Sequence, residues 1–145
     1  MKGIIFENMQ SQHPNVTLIH EFFQAYSVYD LEAIKKILAP DIQWHIPGKH
    51  PYSGTKTGVD EVLGYFKALV QFDFKAKPIV MGVNDDYVID CHLNWSNCKE
   101  GDNASFMSCL LWKIENGKVT AVYNFQQDQH LVDHFFNHTQ KLALK

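Results

Sequence analysis

Histidines and amides carry most of the chemistry this sequence can offer. His45, within Trp44-His45-Ile46, is an imidazole able to move a proton near neutral pH without a large pKa shift. The plainer reading is a strand-edge histidine bonded to a backbone carbonyl or water. Asn124 and Gln126 fall on one face of a strand-like segment that carries no charged residue to bond them. Buried amides need partners, so these two are either satisfied structurally or offered to a ligand. Asp128 closes Gln126-Gln127-Asp128-Gln129, where it either caps a following helix or pairs with His45 as an acid–base couple. His130, His134 and His138 recur every four residues and share one helix face. Such a pair can ligate zinc, but the glutamate of a zinc protease is missing, so solvated or interfacial roles are expected and no metal. Gly54-Thr55-Lys56-Thr57-Gly58 has the composition of a phosphate loop without its spacing. No serine elbow or Cys–His nucleophile pattern occurs.

Several elements must position these groups. Residues 1–14 read as a loose arm ending at His13-Pro14, with Asn15 or Thr17 as a helix cap. Leu18, Ile19, Phe22, Phe23 and Tyr26 recur at helical spacing, predicting a helix from Val16 to about Val28. Tyr26 lies one turn after Phe22 on the same face, so its hydroxyl either enters a pocket or stays at the rim of the core. Asp30 is placed to cap a short helix, Leu31 to Leu38, that Ala39-Pro40 ends. Residues 42–46 read as a strand and the stretch to Gly54 as loop. A third helix follows Gly58 and Asp60, and four strand-like segments cover 74–83, 87–97, 104–114 and 118–127. Asn116-Gly117 suits a primed hairpin turn. A terminal helix runs from about Gln129 to His138. This order of elements is incompatible with a doubly wound parallel sheet.

The chain has 145 residues, the size of one domain, and its 46% hydrophobic content argues against disorder. Its net charge is −3, with signs interspersed, so nucleic acid is not an expected partner. No arginine is present. Cys91, Cys98 and Cys109 are odd in number and lack C-x-x-C spacing, which suggests reduced thiols and a cytoplasmic protein. The N-terminal apolar run is too short for a signal sequence, and no stretch suits a membrane span.

Asp30-Leu31-Glu32-Ala33-Ile34, Trp44-His45-Ile46-Pro47-Gly48, Pro51-Tyr52-Ser53-Gly54 with Gly58, and the closing Trp112-Lys113-Ile114-Glu115-Asn116-Gly117-Lys118-Val119 stand in a telling order. Together they resemble the nuclear transport factor 2-like superfold, and within it the SnoaL-like polyketide cyclase and ketosteroid isomerase group. The resemblance covers nearly the whole chain after residue 14. It implies a single α+β domain over 1–145, a cone-shaped barrel of N-terminal helices packed on a curved antiparallel sheet around one cavity. It also implies a homodimer through the convex sheet face. Matching the third strand through Trp95 puts Ile89, Cys91, Leu93 and Trp95 inward, with Asp90, His92 and Asn94 outward. Ser108, Leu110 and Trp112, then Val122, Asn124 and Gln126, face inward on the next two strands. Phe22, Tyr26, Trp44, Phe66, Trp95 and Trp112 would wall the pocket.

The resemblance gives His45 the place of the carboxylate general base of isomerase-like enzymes, and Asp128 an acidic position at the cavity mouth. It also withholds the isomerase donors. Phe22 and Phe66 stand at the family's tyrosines, and Leu110 or Cys109 stands at its protonated acid. Without those donors steroid isomerisation is not expected. A limonene epoxide hydrolase-like reaction needs an aspartate–arginine–aspartate set that this chain lacks. The resemblance therefore implies a cofactor-independent isomerase, cyclase or lyase acting on a small hydrophobic carbonyl compound. A non-catalytic binder of a hydrophobic molecule and a dimeric scaffold are the competing readings, because this superfold hosts all three.

Overall fold

The structure, a computed structural model, describes residues 13–143, and side chains as far as Thr139. Most of the proposed N-terminal arm therefore lies outside the described residues. Helix α1 spans Pro14–Ser27. Its cap is His13, whose Nδ1 accepts from the Asn15 N–H at 3.1 Å, and Pro14 occupies the first turn, where its missing N–H costs nothing. Asn15, freed from capping, donates from Nδ2 to the carbonyls of Asn84 and Asp85, both at 3.1 Å. That ties the start of α1 to the turn at Asn84-Asp85-Asp86. Asp30 caps α2 (Leu31–Ile37) as the sequence suggests, accepting the Ala33 N–H at 3.0 Å.

Strand β1 (Leu38–Ile46) follows α2 without a loop, and a four-residue strand the sequence reading did not anticipate, β2 (Gly54–Thr57), pairs with it just after the stretch read as loop. Helix α3 (Val59–Leu69) buries Val62, Phe66 and Leu69. Then come β3 (Lys75–Val83), β4 (Tyr87–Trp95), β5 (Ser105–Glu115) and β6 (Lys118–Gln126), and finally α4 (Gln129–Ala143). Asn116 at φ 53 and Gly117 at φ 74 make the tight turn between β5 and β6. The six strands form one curved sheet in the order β2-β1-β6-β5-β4-β3. Every pairing is antiparallel except β1 with β6, which is parallel. Among the described residues no helix is long and apolar enough to cross a membrane.

Pairing carries the same face from strand to strand. Trp44, Val122, Trp112 and Val88 align across β1, β6, β5 and β4, and all are almost fully buried. This row and its neighbours form the concave face on which Phe22, Phe66 and the other helix side chains pack. Helix α4 closes one end. There the loop after β1 comes so near that a Cβ on Gly48 would lie 2.2 Å from Gln129 Nε2 and 2.3 Å from Asp133 Oδ1. Gly48 also holds φ +100, which glycine adopts without strain. The approach lets Asp133 accept the Lys49 N–H and Asn137 donate to the Lys49 carbonyl, fixing Phe136 over the cavity.

Candidate functional site

A cavity of about 80 Å³ lies between the concave face and α1, α3 and α4. That is room for several waters or a small ligand, since about 10–15 Å³ on this scale holds one water. Phe22, Tyr26, Trp44 and Phe66, named from the sequence, line it, as do Asn124 and Gln126. Their rings interlock: Trp44 meets Phe66 edge-on at 5.0 Å, and Phe22 stacks on Tyr26 at 6.0 Å. Trp112 stands behind this wall, fully buried, 4.8 Å from Phe22 and 5.4 Å from Trp44.

The phase of β4 corrects the expectation. Asp90 and His92 are buried at 1% and 5% exposure, and His92 and Asn94 line the cavity. Ile89 is 49% exposed, and Cys91, Leu93 and Trp95 share its convex face. Trp95 is therefore not a pocket residue. The reversal has a physical cause: apolar side chains occupy both faces of this sheet, so alternation of hydrophobicity does not mark the interior. The carboxylate of Asp90 tolerates burial because it is bonded on both oxygens. Oδ1 takes the Nδ1 of His92 at 2.6 Å, and Oδ2 takes the indole N–H of Trp112 at 2.5 Å. An acceptor on that side places the imidazole proton on Nδ1 and leaves the lone pair on Nε2, which makes no hydrogen bond among the described residues. Asp90 and His92 escaped the sequence reading, although Asp-x-His within a strand puts both groups on one face at contact distance.

Beside His92, register sets Ser108 and then Gln126 in one row. Asn94 Nδ2 donates to Ser108 Oγ at 3.0 Å, and the Ser108 hydroxyl donates to Gln126 Oε1. The amide oxygen of Gln126 thus has its partner within the protein. Tyr26 and Tyr65 contribute hydroxyls at another wall. Burial pushes both well above the usual phenol range; the Asp73 carboxylate adds to the shift for Tyr26, and Tyr26 adds to it for Tyr65. Both therefore stay protonated and able to donate. Among the described residues no lysine, aspartate or glutamate lines the cavity.

His45 is elsewhere. Consecutive strand residues face opposite ways, so Trp44 in the cavity places His45 on the convex side. Its ring stacks on Tyr123 at 4.7 Å and its Nδ1 lies 2.9 Å from Thr55 Oγ1. The expectation of His45 as a base inside the cavity is corrected on that ground. Asp128 is exposed and caps α4, accepting the Leu131 N–H at 3.1 Å. It has no contact with His45 that would make an acid–base couple. His130, His134 and His138 are exposed, and the rings of His134 and His138 stack at 5.7 Å. Among the described residues no three metal-binding side chains cluster.

The family model described as a SnoaL-like domain matches residues 19–122. No curated protein is matched by the sequence. Among solved structures, Bal32a from a soil-derived mobile gene cassette superposes with a TM-score of 0.80 at 21% identity, covering 85% of this chain and 96% of that one. A protein of unknown function with a cystatin-like fold from Xanthomonas campestris gives 0.74 at 26% identity, covering 84% and 97%. TerC, co-crystallised with polyporic acid, gives 0.74 at 20% identity, covering 86% and 98%. The fold is thus the nuclear transport factor 2-like, or cystatin-like, one.

Proposed function

The chain belongs to the SnoaL-like domain family, and from that premise we propose that it is an acid–base enzyme of the isomerase, cyclase or lyase type, acting on a small hydrophobic carbonyl compound. The observation that carries this reading is the buried Asp90–His92 pair at the cavity wall. His92 Nε2 takes a proton from the carbon next to the carbonyl and returns it at another position. Asp90 orients the ring and stabilises the imidazolium that forms, as the aspartate of a catalytic triad does. The electron pair released on carbon moves to the carbonyl oxygen, and Tyr26 and Tyr65 are protonated donors within the same cavity. Only side chains take part in the proposed step. TerC's co-crystallised polyporic acid supports an organic molecule as the occupant of such a cavity.

The test is exchange of α-protons in D₂O, followed by NMR on small cyclic ketones such as 1-indanone and 2-tetralone. The wild type exchanges them, His92→Gln loses about 10²–10⁴-fold, and His45→Ala keeps its rate. A wild type that exchanges none of them counts for the binding module instead.

The convex face favours a second, compatible property. Val80, Ile89 and Phe125 are 62%, 49% and 55% exposed, and register joins them with Cys91, Cys109, Leu111 and Tyr123 into two adjacent rows. A continuous apolar face of this kind is a protein-contact surface. The occupant we propose is a second copy of the chain, giving a homodimer.

A further inference from the structure

Two buried polar atoms of the cavity residues have no partner. Trp44 is 3% exposed and its indole N–H makes no hydrogen bond; the amide oxygen of Asn124 is likewise buried and unbonded. Both residues line the cavity. They are also neighbours, because β1 and β6 run parallel with Trp44 opposite Val122, and Asn124 follows two residues later on the same face. Trp112 supplies the contrast. It packs against Trp44 at 5.4 Å, is as deeply buried, and has its N–H bonded to Asp90. The neighbouring amides Asn94 and Gln126 are bonded through Ser108. Among the described residues, the fully buried side-chain nitrogens and oxygens all have partners except this one donor and this one acceptor, both on cavity-lining side chains. Groups left so carry a desolvation cost that a complementary molecule removes.

We propose that Trp44 and Asn124 form a recognition pair for an uncharged hydroxycarbonyl compound with an aromatic or alicyclic body. The Trp44 N–H donates to the carbonyl oxygen, and Asn124 Oδ1 accepts from the hydroxyl. The ligand is uncharged because among the described residues no lysine, aspartate or glutamate lines the cavity to compensate an ion. Its body is flat because Phe22, Phe66 and Trp44 supply ring faces and edges. This proposal rests on the cavity being the ligand site described above. It adds to that reading the donor placed for the oxygen that gains charge as the α-proton passes to His92. A site built to bond a hydroxyl rejects the analogue lacking it, which gives the pair its selectivity.

The experiment is a binding titration of 3- and 4-hydroxyacetophenone, acetophenone, 3- and 4-ethylphenol and ethylbenzene, read by NMR including the indole N–H signals. At least one hydroxyacetophenone binds about tenfold or more tightly than acetophenone and the matching ethylphenol. The Trp44 indole signal, assigned by its loss in Trp44→Phe, moves with the ketones and stays with the ethylphenols. Trp44→Phe brings the hydroxyacetophenone down to the ethylphenol, and Asn124→Leu brings it down to acetophenone. Equal binding of all probes by the wild type, no binding by any, or an unmoved Trp44 indole overturns the pair, and these wild-type readouts stand even where a variant fails to fold. Exchange in D₂O and the binding ranking are read separately on the wild type: no exchange with the ranking intact overturns the acid–base reading alone, and exchange without the ranking overturns this one alone.

Discussion

Asp90 and His92 stand two residues apart on β4 and meet side by side, Oδ1 to Nδ1 at 2.6 Å, on the buried face of a strand whose opposite face is largely apolar. This contact decides which nitrogen of His92 faces the cavity with a lone pair. Replacing Asp90 with Asn removes the charge and allows the amide to donate to Nδ1, so the proton moves to Nε2 and the base is lost. In long-range ¹H–¹⁵N spectra of the histidine side chains, His92 is the Nδ1–H tautomer in the wild type and the Nε2–H tautomer in Asp90→Asn. The α-proton exchange rate falls with it. A wild-type Nε2–H tautomer would contradict the role given to His92.

Trp112 holds the other oxygen of Asp90. Trp112→Phe leaves a buried carboxylate oxygen without its donor, a loss of about 1.5–3 kcal/mol for a hydrogen bond to a charged group, before any packing defect. Trp44→Phe removes an N–H that has no partner, so it loses no such bond. Urea denaturation checks the difference: the midpoint drops much further for Trp112→Phe, with little change in m-value. Equal losses for the two variants would remove Asp90's dependence on Trp112.

The His50 side chain is packed against Phe136 of α4 at 4.8 Å, and its Nδ1 accepts the Tyr52 N–H at 3.1 Å. Burial lowers its pKa below the usual 6.5; Asp133 pulls the other way, Lys56 lowers it further, and a hydrogen bond with the Pro47 backbone raises it. The native state therefore binds this proton less readily than the unfolded chain. Between the lowered value and 6.5 the unfolded chain holds more protons, so stability increases with pH and is lost on acidification through that window. His50→Asn keeps an acceptor and does not titrate. Thermal melts from pH 7 down to 5 show a shallower loss for this variant than for the wild type, by at most about one proton in the linkage slope. Parallel curves for the two proteins would refute the assignment.

The apolar rows through Phe125 and Ile89 predict self-association. Sedimentation of the wild type at micromolar concentration gives a dimer. Ile89→Glu or Phe125→Glu, each placing a charge where an apolar surface would be covered, gives a folded monomer. A monomeric wild type overturns the homodimer.

Much of the framework was legible before any coordinates. The helical spacing around Phe22, the cap at Asp30, the Asn116-Gly117 turn and the four C-terminal strands are local signals, because caps, turns and periodicity are set by residues within a few positions of one another. The inward face of β6, with Val122, Asn124 and Gln126, followed from the chain by counting from that turn; for β5 the chain left a one-residue slip open, and pairing fixed Ser108, Leu110 and Trp112 inward. The face of β4 did not follow from the chain. Its apolar residues Ile89, Leu93 and Trp95 read as core, yet they lie on the convex face while the polar Asp90, His92 and Asn94 face inward, so the more hydrophobic side of this strand is not the inside. Pairing with β5 settled it, setting Asp90 and His92 opposite Leu110 and Ser108 on the concave side. Alternation along β1 took His45 out of the cavity, because Trp44, expected at the pocket wall, does line it. The sequence alone determined the helices, the longer strands and the family, because those depend on local pattern. Only the tertiary structure decided which imidazole meets a carboxylate, and which polar atoms remain unpartnered, because both depend on register between strands far apart in the chain.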